Sequence, residues 1–281
     1  MTITRATGPQ DFLHQTLEVR SLDPFRTNLI GSVATSIIGT ERDTDACFWW
    51  LVENNQGKIV SLMMRTHVHP LVLTPMSSDL LSEAVDAVIA ADPNLPGVSG
   101  PKELVEEFLR LFMQRHPNAR PIKSTRGELL YALSTLKEPQ YEGELITATS
   151  AHYERALEWM MAFGVEAELI MDGVKESVAK KIENSELYFW QHEDQIVSVV
   201  GHAAIVSGPT GKVARIGPVY TPPEFRGRGY ASFCTAAVSQ ILLKLPAQLM
   251  LYTDAANPTS NGIYTKLGYE LIDENISVLF L

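Results

Sequence analysis

The sequence predicts an α/β protein with a mixed, largely antiparallel sheet flanked by helices, laid down as two halves of related order. Short apolar runs bounded by turn signals read as strands, and apolar residues recur at helical spacing between them. A polar segment with Pro139, residues 134–143 (STLKEPQYEG), separates two well-patterned halves. On each side the order helix, meander, helix, strand, helix, strand can be traced. The expected domains are therefore 1–140 and 141–281, although no pairwise identity between them is evident.

In the first half a helical region at 12–38 precedes a strand at 48–53. The turn 54–57 leads to a strand at 58–67, and another follows at 71–73. Ser78 caps a helix at 78–91. Residues 96–100 (PGVSG) read as a link, followed by a helix at 101–115 and a strand near 128–133.

In the second half a strand at 144–148 is followed by Ser150 as the cap of a helix at 151–163. Tyr153, Leu157, Met160 and Met161 form its apolar face. A further helix at 173–183 precedes strands at 187–191, 196–206 and 212–220, joined by the turns 192–195 and 207–211. These make an antiparallel meander. Pro222 and Pro223 stop the third strand. The next helix starts near Arg228 or Gly229 and runs to about Leu245, with Tyr230, Cys234, Val238, Ile241, Leu242 and Leu245 on one face. Pro246 ends it, and a strand follows at 248–253. Asn257 then caps a helix with Pro258 in its first turn, Gly268 ends that helix in the left-handed conformation, and a final strand starts at Glu270.

The 281 residues carry 23 basic and 33 acidic side chains, a net charge of −10. That balance argues against general nucleic-acid binding, which rests on Lys and Arg neutralising phosphates. It serves solubility first and the steering of cationic ligands such as amines second. No apolar run is long enough for a membrane span, and the N-terminus lacks the layout of a secretory signal. Cys47 and Cys234 are far apart and suggest neither a disulfide framework nor a metal site, so a reducing cytoplasm is expected.

Residues 212–231 (KVARIGPVYTPPEFRGRGYA) are the most informative stretch. A strand gives way to a glycine-studded turn that opens a helix. Backbone N–H groups at such a turn are left unpaired at the positive end of the helix dipole, and glycine lets a phosphate approach closely. Arg226-Gly227-Arg228-Gly229-Tyr230-Ala231 lacks the lysine of a Walker loop and is not in a parallel dinucleotide-binding setting. Its order fits the acyl-CoA loop pattern of Arg or Gln, two residues, Gly, one residue, then Gly or Ala.

Together with residues 252–269 (YTDAANPTSNGIYTKLGY), this segment resembles the GNAT superfamily of acetyl-CoA-dependent N-acetyltransferases, over residues 143–281. The wording of residues 219–231 is similar to that of little-characterised bacterial members, some with a degenerate N-terminal GNAT-like half. The resemblance implies a tandem GNAT-like fold with one intact site for acetyl-CoA. No such loop occurs in residues 1–140, where the closest feature is 96–101.

Carried over residue by residue, the resemblance makes Val219, Tyr220 and Thr221 the strand end that pairs with pantetheine, with Val219 N–H polarising the thioester carbonyl. Amides of Arg226, Gly227, Arg228, Gly229, Tyr230 and Ala231 would cradle the pyrophosphate. The Arg226 and Arg228 side chains either add charge or are simply solvated. Asn257 caps its helix and would also contact pantetheine beside Ser260. Tyr264, on the same helix face as Asn257, either protonates the departing thiolate or is a packing tyrosine.

The implied activity is direct acetyl or acyl transfer to a primary amine of a small molecule, in a monomer or homodimer without nucleic-acid, membrane or metal partners. Transfer to a protein or peptide and a non-catalytic acyl-CoA sensor stay open. Glu193, His202 and Glu224 are candidates for the general base, and none is preferred. His67 and His69 share a strand face without a third ligand and read as a surface pair. Of Trp49 and Trp50, one is expected in the core and one outward.

Overall fold

A computed structural model describes residues 2–38, 40, 47–140, 142–209 and 211–281. The elements of the first half are β1 (Thr2–Arg5), α1 (Pro9–Gln15), α2 (Leu17–Leu22), α3 (Asn28–Ile37), β2 (Cys47–Glu53), β3 (Ile59–Thr66), β4 (Leu71–Leu73), α4 (Ser78–Ala91), β5 (Gly97–Pro101), α5 (Lys102–Arg115) and β6 (Ile122–Leu133). Those of the second are β7 (Glu144–Thr147), α6 (Tyr153–Glu166), α7 (Val174–Glu183), β8 (Leu187–His192), β9 (Gln195–His202), β10 (Val206–Gly208), β11 (Gly211–Tyr220), α8 (Tyr230–Leu243), β12 (Ala247–Asp254), α9 (Pro258–Leu267) and β13 (Tyr269–Phe280).

One continuous sheet runs β1-β2-β3-β4-β5-β13-β6-β12-β11-β9-β8-β7, with β10 against β11. All pairs are antiparallel except β4 with β5 and β11 with β12, so the expected mixed, mostly antiparallel sheet is present. At its centre the last strands of the halves are exchanged. β13 lies between β5 and β6, while β6 lies between β13 and β12.

Helices cover both faces. In the first half α4 and α5 bury Leu81, Val85, Val88, Val105, Phe108 and Phe112 on one face. On the other, Phe12, Ile30, Ala34 and Ile37 of α1 and α3 form a separate core. In the second half α8 and α9 cover one face, and α6 and α7 the other. Burial on both faces explains why strands such as β2 are apolar throughout rather than alternating. Trp49 and Trp50 do point to opposite faces, but both are buried. The outward-ring expectation fails because helices roof each side.

Other departures are local. The 96–100 segment is not a link but strand β5. A Cβ on Gly97 would lie 2.2 Å from the Val278 carbonyl oxygen, so its glycine serves close strand approach rather than a turn. Strand β6 starts at Ile122, earlier than its apolar run suggests, because β13 pairs along its whole length. Thr149, not Ser150, is the capping residue before α6, and its N–H donates to His152 Nδ1 at 3.0 Å. On α6 the buried positions are Ala156, Trp159, Met160 and Gly164, and Met161 is exposed. Leu245 is likewise exposed beyond the end of α8.

Candidate functional site

Strands β11 and β12 run parallel in register from Lys212↔Ala247 to Ile216↔Leu251 and then part. Beyond that point β11 turns to β9 (Val219↔Val200, Tyr220↔Val199), and β12 follows β6 (Tyr252↔Leu130, Asp254↔Glu128). The backbone around Gly217 and Pro218 carries the register shift that makes the split. The two strand ends therefore open into a V at the carboxyl end of this parallel pair.

Into this V faces the turn before α8. Gly227 and Gly229 have φ of 77° and 83°, the left-handed region that favours glycine. A Cβ on Gly229 would lie 2.8 Å from the Phe233 ring, whereas one on Gly227 would meet nothing within 4 Å. The Arg226 N–H is spent on the Pro223 carbonyl at 3.3 Å. The amides that open α8 have no intrahelical acceptor, since its first ladder bond runs from the Phe233 N–H to the Gly229 carbonyl at 3.0 Å. No acidic residue stands in that first turn. The concave, donor-only surface fits a pyrophosphate.

The V is one wall of a cavity of about 1020 Å³ lined by both halves. Val219, Tyr220, Thr221, Arg226, Gly227, Gly229, Tyr230, Ala231, Asn257, Ser260 and Tyr264 all line it. Of the sequence-predicted set, Arg228 alone stands outside, in a separate depression with His192, Glu142 and Tyr230. Asn257 Oδ1 accepts the Ser260 N–H at 3.1 Å, which is its capping role. Tyr264 is buried edge-on to Tyr269, at 6.1 Å between centroids. Burial pushes its phenol well above the ordinary range, so the hydroxyl keeps its proton at neutral pH.

The Arg226 side chain does not face the amide cradle. Its guanidinium holds both carboxylate oxygens of Glu166 on α6, at 2.8 and 2.7 Å, and its Nε donates to the Thr221 carbonyl at 2.8 Å. The Tyr220 hydroxyl joins the same carboxylate at 3.3 Å. Thr221 is anchored in turn by Ser198 on β9, with 2.9 Å between hydroxyl oxygens. The strand end that would meet pantetheine is thus fixed by a small polar network.

This is a GNAT-superfamily fold, in tandem. The family model described as FR47-like protein matches residues 204–278, the stretch that holds β11, the glycine turn, α8, β12 and α9. The chain is similar over its whole length, with complete coverage of both chains, to a GNAT-family acetyltransferase from Colwellia psychrerythraea at 10% identity and a TM-score of 0.61. A GCN5-related N-acetyltransferase from Sphaerobacter thermophilus superposes with a TM-score of 0.59 at 15% identity, covering 98% of this chain and 94% of that one. A tandem GNAT protein from the clavulanic acid biosynthesis pathway gives 0.59 at 12% identity, covering 99% and 98%. No curated protein matches the sequence.

Within the GNAT fold none of the three candidate bases lines the cavity. Glu193 sits in the β8–β9 turn with φ of 47°, and Glu224 flanks the glycine turn. His202 is packed at the end of β9, its Nδ1 2.9 Å from the Ala203 carbonyl oxygen, and burial lowers its pKa. The cavity instead presents Glu128, Glu166 and Asp254. Glu166 is held by Arg226, and Asp254 accepts the Ala256 N–H at 2.8 Å. Glu128, on β6, is the carboxyl whose pKa burial raises, offset by Arg126. Sequence reasoning missed it because β6 belongs to the first half, and only strand exchange brings it here. Lys181 and Arg215 were missed too, although an arginine inside an apolar strand is a signal in itself.

Proposed function

We propose that the protein is an acyl-CoA-dependent N-acyltransferase, taking acetyl-CoA as donor and a primary amine of a small molecule as acceptor. The carrying observation is the V between β11 and β12, which opens beside a left-handed glycine turn at the start of α8. The donor supplies a thioester, whose carbon takes the amine nitrogen and whose sulfur departs.

The chain's own groups divide the work. Amides of Gly227 through Ala231 hold the pyrophosphate, and Gly229 keeps their backbone in the required conformation. Val219 N–H polarises the thioester carbonyl. Glu128 accepts the proton lost by the amine, a task for which a carboxyl raised by burial is suited. Tyr264, still protonated, supplies a proton to the departing sulfur. The site so read belongs to the unit 141–281, with 1–140 a degenerate GNAT-like partner that lends β6 and a roof.

The roof supports a small acceptor over a peptide. Arg26, Leu29 and Pro75 from the first half line the same cavity as Tyr264. Among the described residues no helix is long and apolar enough to cross a membrane, and we place the enzyme in the cytoplasm as a monomer or homodimer. Calorimetric titration with CoA, followed by a thiol-release assay over small amines and peptides, tests the reading. CoA binding with release driven by small amines is expected. Release driven only by peptides would replace the acceptor class, and binding without release for any amine would favour a sensor.

A further inference from the structure

The inner end of the cavity carries a charge arrangement that acyl transfer alone does not require. Four arginines line the cavity. Arg26 is paired with Asp23 and Asp273, Arg126 with Glu128 and Asp254, and Arg226 with Glu166. Arg215 has no carboxylate partner within 4.0 Å among the described residues. Its neighbours Ala214 and Ile216 pack under α8, so its own side chain rises from the opposite face of β11, toward the first half. There its Nη2 donates to Ser32 Oγ of α3 at 3.1 Å, while its Nε is shielded from solvent without a hydrogen-bond partner.

Lys181 of α7 lines the same end, and its ammonium donates to the His202 carbonyl. Burial pushes that amine down to about 8, opposed by the Glu186 carboxylate, which forms no ion pair with it, and aided by the Arg215 charge. Two cations here thus have only neutral acceptors. Buried charge left uncompensated is costly, and a guanidinium fork is shaped for a planar oxyanion. Across the same space stands Glu128, which feels the Arg215 charge without forming an ion pair with it. Cation and carboxylate face a shared volume from β11 and β6.

We propose that the acceptor is a small amine that also carries an oxyanion, a carboxylate or a phosphate, with the oxyanion seated on Arg215 and Lys181 and the amine turned toward Glu128. This rests on the acyltransferase reading and narrows its acceptor. It also reverses the expectation from whole-chain charge. The molecule is acidic at −10, yet this end of the cavity is cationic.

Saturation-transfer NMR on the full chain tests the assignment without CoA. The probes are glycine, β-alanine, γ-aminobutyrate and aminoethyl phosphate, each against its neutral counterpart among glycinamide, β-alaninamide, γ-aminobutyramide and ethanolamine. The anionic members should bind saturably, about 30-fold or more tightly than the neutral ones, the scale of leaving a buried charge unpaired. Arg215→Gln should erase that difference, and Lys181→Gln should reduce it. Tighter binding by aminoethyl phosphate than by every carboxylate would assign the oxyanion as phosphate and supports the site. Equal binding of neutral counterparts, no saturable binding by any anionic amine, or an undiminished difference in folded Arg215→Gln overturns it. The wild-type comparison stands even if a variant fails to fold. A failure of the acyltransferase reading shows separately, as absent CoA binding in calorimetry.

Discussion

The two halves make the same crossing from a parallel strand to a helix, and they end it differently. Both strands close on the same tetrad pattern, Val72-Leu73-Thr74-Pro75 in the first half and Val219-Tyr220-Thr221-Pro222 in the second. In both, the threonine hydroxyl is tied to a serine on the adjacent antiparallel strand, Thr74 to Ser61 at 2.8 Å and Thr221 to Ser198 at 2.9 Å. From there the first half enters α4 after Met76 and Ser77, with Asp79 in the opening turn. The second half inserts a longer turn with two left-handed glycines and no acid.

The strand ends differ as well. A Cβ on Gly100 of β5 would lie 2.7 Å from the Leu73 carbonyl oxygen, so the first half's V is shut. One helix further on, α5 starts from Pro101 where α9 starts from Asn257. Phe108 then stands the same distance from its cap as Tyr264 does. The polar anchor of the strand end is common to both halves, whereas the phosphate cradle, the capping amide and the phenol are not. The shared anchor belongs to the fold, and the unshared groups are those to which the proposed chemistry is assigned.

The harshest way to break the contrast is to fill the cradle. Gly229→Glu sets a side chain at φ 83° against Phe233 and a negative charge where phosphate should lie. CoA affinity should fall roughly thousandfold, the scale of a buried unpaired charge added to strain. Wild-type affinity in calorimetry would remove the loop from the site. Tyr264→Phe gives the second half the residue the first already has. Turnover should drop about hundredfold while CoA affinity changes little, and unchanged steady-state turnover would make Tyr264 a packing residue.

Glu128→Gln probes the proposed base, which β6 of the first half supplies. A base must be ionised, and burial raises this carboxyl, so the acidic limb of kcat/KM should lie above the ordinary glutamate value of about 4.3. The variant should lose that limb together with about hundredfold in rate. A pH profile with the limb intact would reject the assignment. On the closed side, Gly100→Ala should destabilise the protein by about 2 kcal/mol in urea unfolding, with no effect on CoA affinity. Smallest is Arg226→Gln. Its half-exposed pair with Glu166 contributes ~0–1 kcal/mol, and CoA binding should weaken by no more than about threefold. A larger loss would show that Arg226 leaves Glu166 for the phosphate.

Much of this was legible in the sequence because it is local. The glycine turn, the Asn257-Pro258 cap and the position of Tyr264 follow from residues that are neighbours in the chain, and the structure sets them around one cavity. What escaped depends on pairing at long range. Strand β5 looked like a linker because glycines at 97 and 100 signal turns, whereas here they admit neighbouring backbones. One of Trp49 and Trp50 looked free to face outward because a strand pattern says nothing of what roofs it. Glu128 lies in register with both Asp254 and Asn275, and no window of sequence around it shows either.

The exchange of β6 and β13 also sets a schedule. β13 follows every other described element in sequence, and until it is made β5 and β6 have no strand to join them. Both halves therefore wait on the same last segment, and the cavity they share acquires its walls only then. Pairings so distant in sequence are slow to close. A growing chain would carry every residue of the glycine turn before the cavity beside it could close.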